Sequence, residues 1–170
     1  MPLSMYEASV AVFQARLKSL SHVLAKGEAN AIERKIDPAV FLSARLAPDM
    51  LTLTKQVQIA TDHAKGAPSR LAGRTPPKFE DNEQTFAELQ ARIAKTIDYL
   101  ATFTAEDLVG SEERTIELKS GSRELSFGGS QYLLHFATPN FYFHVTSAYA
   151  ILRHNGVPLG KIDFLTSGGS

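Results

Sequence analysis

The stretch FYFHVTSAYAILRHNG, residues 141–156, decides how this chain is read. It closes a run from Leu125 to Leu152 that contains no Asp, Glu, Lys or Arg, a length sufficient to cross a bilayer. The run also contains Gly128, Gly129, Ser130, Gln131, His135, Thr138, Pro139, Asn140 and His144, which is too polar for a helix facing lipid. It therefore reads as the most buried helix of a soluble bundle, from about Ser130 to Asn155. Gly156 is expected to cap its C-terminus and Pro158 to forbid its continuation.

Outward from that helix the other elements follow. Before it, Ile116 and Leu118, then Leu125 and Phe127, alternate with polar residues across Ser120-Gly121-Ser122, the signal of a β-hairpin. Gly128-Gly129 ends the hairpin. Upstream, Phe86, Leu89, Ile93, Ile97 and Leu100 keep helical spacing behind an expected capping box at Asp81–Gln84, where Glu80, Asp81 and Glu83 suit a helix N-terminus. RTPPKFE, with Pro76-Pro77, is an extended link. A helix expected to open at Pro48 and end at Gly73 carries Met50, Leu53, Val57, Ala60, Ala64 and Leu71 as an apolar stripe. Asp37-Pro38 begins a short helix, with Asp as N-cap. The first long helix opens with a capping box at Ser4–Glu7 and is expected to end at Lys26-Gly27. The C-terminal tail is expected to lie over the bundle through Ile162 and Phe164, with a loose Ser/Gly end. Four long amphipathic helices and one inserted hairpin predict an all-α, four-helix-bundle fold spanning residues 1–170 as one domain.

Eighteen basic residues balance eighteen acidic ones, which argues against a nucleic-acid partner and gives no reason for an anionic membrane surface. Cysteine is absent, so thiolate nucleophiles, disulfides and cysteine zinc sites are excluded. The N-terminal residues lack the pattern of a signal peptide, and a cytoplasmic location is expected.

Chemistry rests on five histidines: His22, His63, His135, His144 and His154. None forms HExxH, HxxxH or HxH. His144 shares a helix face with Ala137, Asn140, Ala148, Ile151 and Asn155, a small, apolar face punctuated by amides, as an interior ligand pocket requires. Gln56, Ala60, His63 and Ala67 share one edge of the second long helix, so His63 and His144 can meet from different helices, as metal ligands do in bundles. The plainer readings are a satisfied core histidine for His144 and a solvent-edge residue for His63, flanked by Asp62 and Lys65. His22 and His154 are placed near helix ends, where cations favour the dipole. The aromatic residues Tyr132, Phe136, Phe141, Tyr142, Phe143 and Tyr149 cover every side of the last helix, so some face the core and some suit a partner subunit.

HVTSAYAILRHNG behind a hairpin resembles the DinB-like superfamily of bacterial metalloenzymes. QVQIATDHAKGAPSRLAG, FEDNEQTFAELQARIAKTIDYL and FYFHVTSAYAILRHNGVPLGKIDFL look like a branch of it described only as a domain of unknown function. The resemblance implies a four-helix bundle, often a homodimer, in which three histidines hold a divalent metal. Some relatives are thiol transferases or maleylpyruvate isomerases that use a low-molecular-weight thiol. Relatives carry HxxxHRGQ on the last helix, then LR nine residues after the second histidine. By that spacing His144 takes the second-ligand position and Asn140 falls at the first, where an amide ligates transition metals poorly. Val145-Thr146-Ser147 replaces Arg-Gly-Gln, and His63 is the candidate from helix two. The expected protein is a homodimeric bundle that binds a small ligand around Asn140, His144, Ala148 and Asn155, with a degenerate or absent metal site. The alternative is an enzyme in which His144 and His63 hold Zn or Ni and activate a thiol.

Overall fold

The computed structural model describes residues 3–120 and 123–166. The protein is mostly helical, with one two-stranded antiparallel sheet. The chain opens with a π-helical segment, Glu7–Ala11, that runs directly into α1, Val12–Glu33. The capping box forms as expected: the Glu7 amide donates to Ser4 Oγ at 3.1 Å, and the Ser4 amide to Glu7 Oε2 at 3.0 Å. Helix α1 does not stop at Gly27. A Cβ there would meet Leu152 Cδ2 at 2.9 Å, so this glycine permits close helix packing and is not a cap. His22 is consequently a mid-helix residue, and its Nε2 lies 3.0 Å from Asp163. His154, exposed in the last turn of its helix, does occupy a C-terminal position.

Asp37 caps α2, Pro38–Ser43, through the Ala39 amide at 2.9 Å. Helix α3, Leu53–Leu71, begins later than Pro48 predicted. Thr52 is its N-cap, and Pro48 and Asp49 lie in a turn closed by Met50 N–H to Ala47 O at 3.0 Å. Gly73, with φ 70°, follows the end of α3 as expected. After the extended link comes α4, Phe86–Leu100, whose capping box is Thr85–Glu88 and not Asp81–Gln84. The reason is that Asp81 and Glu83 are already engaged. Asp81 pairs with Lys55 at 3.1 Å, and Glu83, only 9% exposed, pairs with Arg92 and Gln58.

Strands β1, Thr115–Ser120, and β2, Arg123–Gly128, pair in the register Ile116↔Phe127 and Leu118↔Leu125. The expected turn residues Gly121 and Ser122 lie outside the described residues, as does the terminal Ser/Gly run. Gly129 must be glycine, because a Cβ would collide with the Ser111 carbonyl. It opens a continuous helical stretch: α5, Gly129–Gln131, a π-helical segment, Tyr132–Ala137, and α6, Thr138–His154. The wider π turns end just before Pro139, which has no N–H to donate. Gly156, with φ 89°, follows the end of α6.

The core collects the apolar faces of α1, α3, α4 and α6: Phe13, Leu17 and Leu24; Val57, Ala60 and Ala64; Leu89 and Ile93; Phe141, Ala148 and Ile151. Full burial of such side chains contributes roughly 1.5–3 kcal/mol each for the larger ones. Helix α7, Lys161–Leu165, closes over α1 through Asp163, which takes Lys26 and His22, and meets α6 through Phe164, edge-on to Tyr149. Ile162, expected to dock, is 68% exposed. In this helix the alternate face turns inward. Among the described residues no helix is long and apolar enough to cross a membrane.

Candidate functional site

Helices α3 and α6 lie against each other along most of their length, and this contact builds the site. Gln56, His63 and Arg70 stand seven residues apart on one side of α3, and His144 is on the buried side of α6. The two imidazoles stack, with ring centres 5.8 Å apart and planes 15° from parallel. Phe136 meets the edge of His63, and Phe143 the edge of His144.

Hydrogen bonding fixes the state of His144. The Gln56 side-chain amide donates to the Leu51 carbonyl at 3.3 Å, which turns its Oε1 toward the ring. That oxygen is 2.7 Å from His144 Nδ1 and can only accept, so Nδ1 carries the proton. Burial holds the ring's pKa below the usual histidine value, so at neutral pH it is neutral and Nε2 presents a lone pair. His63 is pushed down to about 4, chiefly by burial, then by the neighbouring His144 and Arg70; Asp62 pulls weakly the other way. The pair is thus two neutral imidazoles, each able to ligate a metal or accept a proton.

The remaining predicted residues are placed as follows. Asn140 is half-buried and donates back to the Phe136 carbonyl at 2.7 Å. Asn155 donates to the Ile151 carbonyl at 2.7 Å. Ala148 is fully buried on the same face. His135 is exposed and far around the helix from His144. Of the six aromatic residues on this stretch, Tyr132 and Phe141 are core, Phe136, Tyr142 and Tyr149 are partly buried, and Phe143 is 57% exposed. Beside His63 opens a cavity of about 240 Å³, walled by Phe136, Tyr132, Leu118 and Arg70, with Asp62 and Lys119 at its margin.

The donor set does not match a three-histidine metal centre. Among the described residues no group of three or more His, Asp or Glu converges, and Asn140 is tied to its own helix through its amide nitrogen. A divalent ion here would take its remaining ligands from water or a bound molecule. Sequence reasoning placed Gln56 on the right edge of α3 but not as the partner of His144; it read Tyr132 only as one of the aromatics of the last helix, and it passed over Arg70 and Gly66. Gly66 was the available signal, since a glycine inside a helix costs about 1 kcal/mol relative to alanine and needs a packing reason.

Residues 5–165 match the family model described as "Domain of unknown function (DUF1993)". Among solved structures, the chain is similar to the crystal structure of a DinB family member protein from Shewanella denitrificans. The two are 42% identical with a TM-score of 0.87, over 98% of this chain and 92% of that one. No curated protein matches the chain.

Proposed function

The chain belongs to the family described as Domain of unknown function (DUF1993) and has a DinB-like fold, and from that premise we propose that it is a four-helix-bundle protein that binds a small ligand at a reduced, two-imidazole metal site. The observation that carries this reading is the Leu51–Gln56–His144 relay, which holds one tautomer and leaves Nε2 as a lone pair beside His63. A hydrogen bond to the far nitrogen is how ligating histidines are oriented. Ring centres 5.8 Å apart bring two imidazoles within reach of one ion, but the rings stack, so one of them must turn for both in-plane lone pairs to meet it at Zn–N distances of about 2.1 Å. Two imidazoles alone hold an ion weakly, so the site is occupied through its ligand and not by a resident metal.

Metal content of tag-free protein, measured by mass spectrometry, tests this. The expected result is far less than one metal per chain as purified, with added Zn or Ni binding at micromolar affinity or weaker and His144→Ala abolishing it. A tightly held Zn or Ni in every chain, lost in His144→Ala, would favour the alternative, a divalent-metal-dependent thiol transferase or isomerase-like enzyme, which thiol-transfer assays would then test. We also assign the face of α6 that exposes Phe143 to a homodimer contact. Light scattering showing a monomer at micromolar concentration would remove it.

A further inference from the structure

We propose that the cavity beside His63 binds a small organic carboxylate with a flat apolar body, and that Arg70 receives its carboxylate group. The inference rests on the ligand-binding reading above only through His63, which the two sites share.

Arg70 sits in the last turn of α3, half-buried at the cavity wall. A guanidinium has five N–H donors, yet its one side-chain partner among the described residues is the Tyr132 hydroxyl, 3.2 Å from Nη1. None of the described carboxylates lies within ion-pair distance of it. Asp62, on the same cavity, pairs through Oδ1 with Arg92 at 2.9 Å and with Lys65, and not with Arg70. The buried guanidinium of Arg92 is saturated by contrast, with five hydrogen bonds.

The guanidinium also has a prepared seat. A Cβ on Gly66, one turn earlier in α3, would collide with Nη1 of Arg70. Glycine therefore leaves a notch in the helix surface that Nη1 of the guanidinium enters, beside the cavity. The buried Tyr132 hydroxyl accepts from Arg70, which leaves its own proton for a ligand, and burial raises its pKa so that it stays a phenol. Arg70 and Tyr132 thus form an array of donors.

Leu118, Tyr132 and Phe136 give the cavity an apolar, aromatic side, while Asp62, His63 and Lys119 line the rest. The rings of Tyr132 and Phe136 are 6.0 Å apart and those of Phe127 and Phe136 5.3 Å, with Leu118 from the hairpin across from them. A fork-shaped donor on a flat apolar wall recognises a planar carboxylate in two hydrogen bonds, while a flat body packs on the rings. A volume of about 240 Å³ limits the ligand to a small molecule.

The test uses the whole chain and two-dimensional amide NMR, with benzoate as probe, benzamide as its neutral isostere and phenyl phosphate as the other anion. Benzoate is expected to give saturable shifts around Tyr132 and Phe136, with benzamide at least tenfold weaker. Arg70→Gln should weaken benzoate at least tenfold, and Arg70→Lys by less. Gly66→Ala should also weaken it by displacing the guanidinium while the helix persists, so it carries the test if Arg70→Gln fails to fold. Benzoate shifts in a chain that binds no added Zn would uphold this inference while the imidazole-pair reading fails, and Zn binding without benzoate shifts would overturn this inference alone. No saturable benzoate shifts, equal affinity for benzamide, tighter binding of phenyl phosphate, or an unchanged affinity in both Arg70→Gln and Gly66→Ala would overturn the proposal.

Discussion

Helix α3 carries two polar sites on different sides, and they are built on opposite rules. Toward α4, Arg92 is 3% exposed and every N–H is matched. Nε donates to Thr61 Oγ1 at 2.7 Å, Nη1 to the Glu80 carbonyl and Glu83 Oε1 at 3.0 Å each, and Nη2 to Asp62 at 2.9 Å and the Gln58 carbonyl at 3.4 Å. Toward α6, the His63–His144 pair has one fixed nitrogen, and Arg70 has one side-chain partner. A saturated buried charge holds a scaffold in place, because any rearrangement strands it. A buried group with unmet bonding capacity either costs stability or awaits a ligand. On the α4 side only the neighbouring Gln58 Oε1 is left without a partner among the described residues, whereas the α6 side keeps the open donors and acceptors that the proposed ligands would use.

The strongest way to break this comparison is at the saturated end. Arg92→Met leaves Glu83 buried without its cation and releases the extended link that Glu80 anchors, so a loss of about 3–5 kcal/mol is expected in urea unfolding. Adding Glu83→Gln should recover part of it by neutralising the stranded carboxylate. A cost under about 1 kcal/mol would mean that water reaches the node, and that saturation does not mark scaffold here.

Acid titration probes the other side. Burial pushes His63 down to about 4 in the folded protein, against the usual 6.5, so the unfolded chain binds this proton more readily. Its contribution is complete above the unfolded value and is lost as pH falls from about 6.5 to 4, on the order of 2 kcal/mol after allowance for partial exposure. The burial of His144 acts in the same direction. His63→Gln should flatten this window while leaving the steeper loss below pH 4, where depressed carboxylates such as Asp163 take up protons. Stability curves of wild type and variant that run parallel from pH 7 to 4 would show that His63 is as solvated folded as unfolded.

A smaller effect isolates the relay. Gln56→Leu removes the acceptor that fixes His144 and strands a buried N–H, at a cost of about 1–2 kcal/mol. Nitrogen chemical shifts of His144 should pass from one tautomer to a mixture, and Zn binding should weaken. An unchanged tautomer would mean that another group orients the ring.

The two sites also differ in how far the sequence revealed them. Long-range periodicity was legible: the stripes Leu53–Val57–Ala60–Ala64 and Phe86–Leu89–Ile93 are core, and the alternation around Ile116 and Phe127 is a sheet. Local end signals were less so, because they compete with tertiary demands. Gly27 looks like a cap until Leu152 packs on it, and Asp81 like an N-cap until Arg92 claims that segment. His63 and His144 could be brought together from helical spacing alone. Their electrostatic state could not, since it depends on Gln56 reaching across 88 residues of sequence and on burial. Arg70 was invisible for the same reason: a cation in a last helical turn reads as dipole complement until the missing counter-charge is known.

The weakest expected effect sharpens the contrast by removing burial altogether. Lys119 and Glu124 face each other across the hairpin, 3.6 Å apart, with both side chains 82% exposed. Their charges are those of the Arg92 node, but water screens them and both long chains lose rotamer freedom to meet. Lys119→Gln should therefore move the urea midpoint by less than about 0.5 kcal/mol equivalent, with the remnant vanishing in high salt. If it costs as much as Gln56→Leu, the hairpin is held by charge and the line between saturated scaffold and open site must be redrawn. If it does not, desolvation is what makes a polar contact in this protein matter: the same ion-pair chemistry is decisive at Arg92 and negligible at Lys119. The half-buried Arg70 then stands between them as the cation whose worth depends on what enters the cavity.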